Sequence, residues 1–98
     1  MTAVGNIGTA TIDFGATPVA DASVAVTGQT DITATAYVEA WFMARSTAEN
    51  DAEAHKQAAA VMRVVCSEPT AGVGFTITAY CLQGAATGTF KVEWTWSD

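Results

Sequence analysis

From residue 61 to residue 97 the chain alternates between apolar and polar side chains in three consecutive runs. Successive side chains of a strand point to opposite faces, so a period of two predicts strands. The runs are 61–67, 73–82 and 88–97. In the last, Phe90, Val92, Trp94 and Trp96 share one face, while Thr89, Lys91, Glu93 and Thr95 share the other. In the middle run Val73, Phe75, Ile77, Ala79 and Cys81 oppose Thr76, Thr78, Tyr80 and Leu82. The segments 67–72 (SEPTAG) and 83–88 (QGAATG) have turn composition. A hairpin about the second turn sets Cys81 opposite Phe90, Ala79 opposite Val92, Ile77 opposite Trp94 and Phe75 opposite Trp96. A hairpin about the first sets Cys66 opposite Phe75, Val64 opposite Ile77 and Met62 opposite Ala79. Every one of these pairs is apolar, and a one-residue slip would mix apolar with polar positions.

The N-terminal half repeats the pattern. Residues 8–14 place Ala10, Ile12 and Phe14 on one face, and residues 20–27 place Ala22, Val24 and Val26 on one face. Around the turn at 15–19 they predict another hairpin. Residues 1–7 have no clear period and read as an N-terminal arm. Residues 32–45 read as a long strand with a possible break near Thr33. Its Ala36, Val38, Ala40, Phe42 and Ala44 face suits the core. The opposite face carries Tyr37, Glu39, Trp41, Met43 and Arg45.

Residues 46–60 (STAENDAEAHKQAAA) break the alternation. Asn50 followed by Glu53 has the spacing of a capping box, and the acids precede Lys56, as a helix dipole favours. This predicts a short helix over 51–59, against the competing reading of a solvated crossover loop. Together these elements describe an all-β fold, a single antiparallel β-sandwich of about six to eight strands with one short helix or crossover loop near 50–59.

Composition narrows the function classes. At 98 residues the chain suits one domain, 1–98, and with 50% hydrophobic and 14% charged residues it is unlike a disordered chain. Leu occurs only at Leu82, whereas Thr and Ala are abundant, a balance that suits sheet packing. The net charge is -6, and Arg45, Lys56, Arg63 and Lys91 are scattered. That disfavours nucleic acid and anionic membrane surfaces as partners. The segment MTAVGNIG is not a secretory signal, and no run reaches the length of a membrane span.

Candidate chemistry is sparse. Asn50, Asp51, Glu53 and His55 form the one polar cluster with ligand character, but it lacks the glycine and closing glutamate of a calcium loop. The cluster reads as a solvated helix start and His55 as a surface histidine; a small hydrolase built around His55 is the weaker alternative. Six residues separate Cys81 from the predicted partner of Cys66, roughly 20 Å along a strand, so both read as reduced core thiols. No cofactor, metal or catalytic motif is called. The face of Tyr37, Glu39, Trp41, Met43 and Arg45 is the candidate interface. Three readings are open for its aromatic residues: core covered by the crossover, a subunit contact, or a sugar-stacking platform.

The segments TAYVEAWFMARSTAENDAEAH, GVGFTITAY and GTFKVEWTW, spanning roughly residues 32–96, resemble in their order small proteins encoded in the structural gene clusters of tailed bacteriophages. The resemblance implies a virion component, whether head decoration, head-to-tail or tail-associated. The expectation is a non-enzymatic structural protein acting as a homo-oligomer or on other virion proteins, and an N-terminus unlike a secretory signal fits assembly in the host cytoplasm. It carries over no functional residues. The alternative is a carbohydrate-binding or adhesin module.

Overall fold

The computed structural model describes residues 5–42, 47, 50–82 and 84–98. Six strands and one helix follow in the order β1 (Gly5–Asp13), β2 (Asp21–Val26), β3 (Tyr37–Phe42), α1 (Ala52–Val61), β4 (Met62–Cys66), β5 (Phe75–Cys81) and β6 (Thr89–Ser97). They form two three-stranded antiparallel sheets, β1-β6-β3 and β2-β5-β4. The sheets pack face to face as an all-β sandwich, as the alternation predicts. The last two strands of the sequence are the central strands of the two sheets. The core between them includes Ile12, Val26, Phe75, Ile77, Ala79, Phe90, Val92, Trp94 and Trp96, all buried. Edge-on ring contacts tie it together, Phe75 against Trp94 at 5.7 Å and Phe14 against Phe90 at 5.8 Å between centroids.

Within the described strands the predicted inward faces are the observed ones, except that Val73 precedes β5 and is exposed. Ala44 lies outside the described residues, and two of the three predicted hairpins do not form. β5 and β6 lie in different sheets, as do β1 and β2. β6 pairs with β1 (Ala10 opposite Val92) and with β3 (Phe42 opposite Val92), while β5 pairs with β2 and β4. The segments predicted as hairpin turns are arches that step from one sheet to the other. Alternation cannot separate the two cases, because strands that face each other across a core and strands that lie side by side both turn the same parity inward. The β4–β5 hairpin does form, with Cys66 opposite Ile77 and Val64 opposite Ala79. This register is two residues from the predicted one, which leaves every side chain on its predicted face.

Three further boundaries differ. Residues 5–7, predicted as part of an arm, belong to β1, where Gly5 pairs with Ser97 and Ile7 with Thr95. The strand predicted over 32–45 is regular only at Tyr37–Phe42 in the described residues. The segment before it turns over the end of the sandwich and plugs it with buried Ile32 and Ala36. The helix forms, but its N-cap is Asp51, whose side chain accepts from the Ala54 amide at 2.8 Å. Asn50 is used elsewhere.

Glycine is required where backbone or a large ring comes close. A Cβ at Gly74 would lie 1.8 Å from the Val26 carbonyl oxygen, and its φ is 152°. A Cβ at Gly8 would lie 2.3 Å from Cζ2 of Trp94, whose indole covers that position of β1.

Candidate interaction surfaces

The described part of β3 ends at Phe42, opposite Val92, and β6 continues beyond it. Side chains then serve the backbone groups of β6. Lys91 N–H donates to Nε2 of His55 at 2.7 Å. The Thr89 carbonyl accepts from Oγ1 of Thr47 at 2.7 Å and Nδ2 of Asn50 at 2.9 Å. Among the described residues, Thr47, Asn50 and His55 thus supply partners to these backbone groups of β6. His55 is 0% exposed, which corrects its reading as a surface histidine. Nε2 accepts from an amide, so it carries no proton, and Nδ1–H donates to the Asp51 carbonyl at 2.9 Å. The ring stands edge-on to Phe90, 5.1 Å between centroids. With its basic lone pair held by Lys91 and no exposed surface, this imidazole cannot meet a substrate proton in this arrangement.

The outer face of β1-β6-β3 carries the candidate interface predicted on 37–45. Tyr37 lies opposite Ser97, Glu39 opposite Thr95 and Trp41 opposite Glu93. Tyr37 is 76% exposed and Trp41 is 37% exposed, so this face is turned to solvent rather than to the core. Four residues part the two rings, roughly 13 Å along the strand. A shallow groove of about 340 Å³ runs beside Tyr37, Glu39, Thr95 and Ser97. A second, of about 260 Å³, lies between Trp41 and the side chains of Ala59, Met62 and Val64, where helix and sheets meet. Met43 and Arg45, the other two predicted members, lie outside the described residues.

The outer face of β2-β5-β4 is the surface that the sequence reading passed over. Its rows run Asp21–Tyr80–Arg63, Ser23–Thr78–Val65 and Ala25–Thr76. Leu82 N–H donates to the Val61 carbonyl at 2.9 Å, which continues the pairing and sets these two apolar residues side by side. Leu82 is 62% exposed and Tyr80 43%, and Val61 and Val65 are exposed with them. Ser23 and Thr78 hydroxyls bond across the strands at 2.8 Å. Parity alone places Val61, Arg63 and Val65 outward with Tyr80 and Leu82. Assigning β6 as the neighbour of β5 set Lys91 beside Tyr80 and hid the acid–aromatic–base row, whose members come from three distant segments.

Cys66 and Cys81 are free, half-buried and packed against the core. In the observed register Cys81 lies opposite Met62, four residues from Cys66 on the neighbouring strand, roughly 13 Å. Burial, and then the negative charge of Glu39, push the Cys66 thiol above its ordinary value. Among the described residues no group of three or more His, Cys, Asp or Glu side chains is placed to hold a metal ion, and no helix is long and apolar enough to cross a membrane. Comparison with protein-family models, curated proteins and solved structures returns no match for this chain.

Proposed function

We propose that this chain is a non-enzymatic structural protein of a tailed-phage particle that works through protein–protein contacts, as a homo-oligomer or on another virion protein. The observation that carries the contact reading is the pair of outward sheet faces, each bearing large apolar or aromatic side chains among polar ones: Tyr37 and Trp41 on one, Val61, Val65, Tyr80 and Leu82 on the other. Contiguous exposed apolar residues rimmed by polar ones are the composition of contact surfaces. The particle as setting rests on the resemblance of the 32–96 segments to phage structural proteins. Mass spectrometry of density-purified particles from cells carrying the gene tests it. The chain is expected in the particles at stoichiometric level, and its recovery only in the soluble fraction, with particles complete, overturns the reading.

The exposed Tyr37, aligned with Trp41 and with Glu39 between them, supports a second reading, a glycan platform on which sugar rings stack. Quenching or blue shift of tryptophan fluorescence on titration with host-envelope oligosaccharides, lost in Tyr37→Ala, distinguishes it from the first.

A further inference from the structure

We propose that the outer face of β2-β5-β4 is the contact between two copies of this chain, related by a two-fold axis that lies in the interface parallel to β5. The proposal deepens the assembly reading above and rests on it, naming the face and the partner.

The row through Tyr80 selects this arrangement. Asp21 on β2 and Arg63 on β4 are the two neighbours of Tyr80, one on each side. Each is exposed, and among the described residues neither has an ion-pair partner; the pair that forms is Lys56 with Glu53 on α1, at 3.9 Å. With strands about 4.8 Å apart, Asp21 and Arg63 lie roughly 10 Å apart across Tyr80, and within one copy they form no ion pair with each other. With the strands of the two copies aligned, two such faces meet about a two-fold axis along β5 or about one across it. An axis across the strands sets Asp21 over Asp21 and Arg63 over Arg63, juxtaposing like charges. An axis along β5 reverses the row, so Asp21 of each copy meets Arg63 of the other, and Tyr80 meets Tyr80 at the centre. The same rotation covers Leu82 with Leu82 of the second copy. It also brings Val65 over Ser23. An isologous contact needs a patch complementary to itself under rotation, and a row of acid, aromatic and base is complementary in this sense. Tyr and Arg are also the residue types that carry binding energy at such centres.

The same row offsets the repulsion between copies. A chain of net charge -6 repels its own copies. This face offers two opposite-charge pairs, formed only on association and shielded from water by the surrounding Val61, Val65 and Leu82. The face is small: three strands by seven residues is roughly 14 by 23 Å. That lies well below the usual area of a stable complex, so a weak dimer is expected, populated toward the upper end of the concentration range tested.

Sedimentation velocity of the whole chain over roughly 1 µM to 1 mM tests the proposal. Wild type is expected to pass from monomer to dimer. D21R and R63D are each expected to weaken the dimer at least tenfold, with near-UV circular dichroism unchanged. An equimolar mixture of the two variants is expected to recover association, since one then carries two bases in the row and the other two acids; the D21R/R63D double variant recovers it too. The mixture serves as its own control for folding. A dimer unmoved by either single variant overturns the proposal, as does a dimer weakened by both but not recovered in the mixture. If Trp41→Ala dissociates the dimer and D21R does not, the contact lies on the other sheet and the assembly reading stands. A chain monomeric throughout but present in particles also overturns this proposal alone, whereas one monomeric throughout and absent from particles overturns both.

Discussion

His55 joins α1 to β6, and removing it should damage the fold more than any other single polar change. Two variants separate its contributions. His55→Phe keeps a ring against Phe90 but leaves Lys91 N–H facing carbon in a space too filled for water. An unsatisfied donor of this kind costs about 1–3 kcal/mol. The Asp51 carbonyl adds little, because it already accepts the helical bond from the His55 amide at 3.1 Å. His55→Ala removes a fully buried ring and opens a cavity, for which about 2–5 kcal/mol is typical. Water entering that cavity can satisfy Lys91 N–H, so the terms do not add in full, and about 3–5 kcal/mol is expected. Domains of this size are stable by about 5–15 kcal/mol, so His55→Ala removes a large share of the total. Urea unfolding followed by tryptophan fluorescence reads both variants, since Trp94 and Trp96 are buried in the same core. Stability of His55→Phe equal to wild type would show that the Lys91 bond contributes nothing. A loss under about 1 kcal/mol for His55→Ala would refute the whole account of His55 as the link between helix and sheet.

Other outcomes follow from close approaches and from the thiol. Gly8→Val forces the Trp94 indole from its place and should cost about 1–3 kcal/mol, read as a lower urea midpoint with altered tryptophan emission. Gly74→Ala places a methyl group against the Val26 carbonyl at a backbone angle that alanine avoids, and should unfold the chain at temperatures where wild type is native in a circular-dichroism melt. The Cys66 thiol is raised in the fold, so the fold favours its neutral form. Stability from this group is full below the ordinary thiol value and falls as pH rises through it toward the folded value. Cys66→Ala should therefore flatten the alkaline limb of a stability–pH curve. Glu39→Gln should speed alkylation of Cys66 at fixed pH by removing the nearby negative charge; an unchanged rate would assign the shift to burial alone.

The order of apolar and polar residues determined which side of each strand turns inward. It held for Ala10 and Ile12, for Val38 to Phe42, for Met62 to Cys66, and for the two central strands, because burial of one face fixes parity wherever the partner lies. It also pointed to a short helix over 51–59, against a crossover loop, through the capping-box spacing and the acids that precede Lys56. The tertiary structure alone decided which strands are neighbours. Segments 15–19 and 83–88 have the composition of hairpin turns, yet the chain passes there from one sheet to the other across a core about 10 Å thick, and nothing local distinguishes a turn from an arch of the same length. The two-residue difference in the β4–β5 register has the same cause, since both registers bury the same side chains. Asp51 displaced Asn50 as N-cap because the Asn50 amide is drawn to the Thr87 and Thr89 carbonyls, distant in sequence. His55 is buried for a like reason: its Nε2 accepts from the Lys91 amide of β6, which its own neighbours in sequence do not reveal. The predicted face at Tyr37 and Trp41 was legible from one strand. The row of Asp21, Tyr80 and Arg63 was not, because three segments compose it, and only the sheet brings an acid, an aromatic ring and a base into one line.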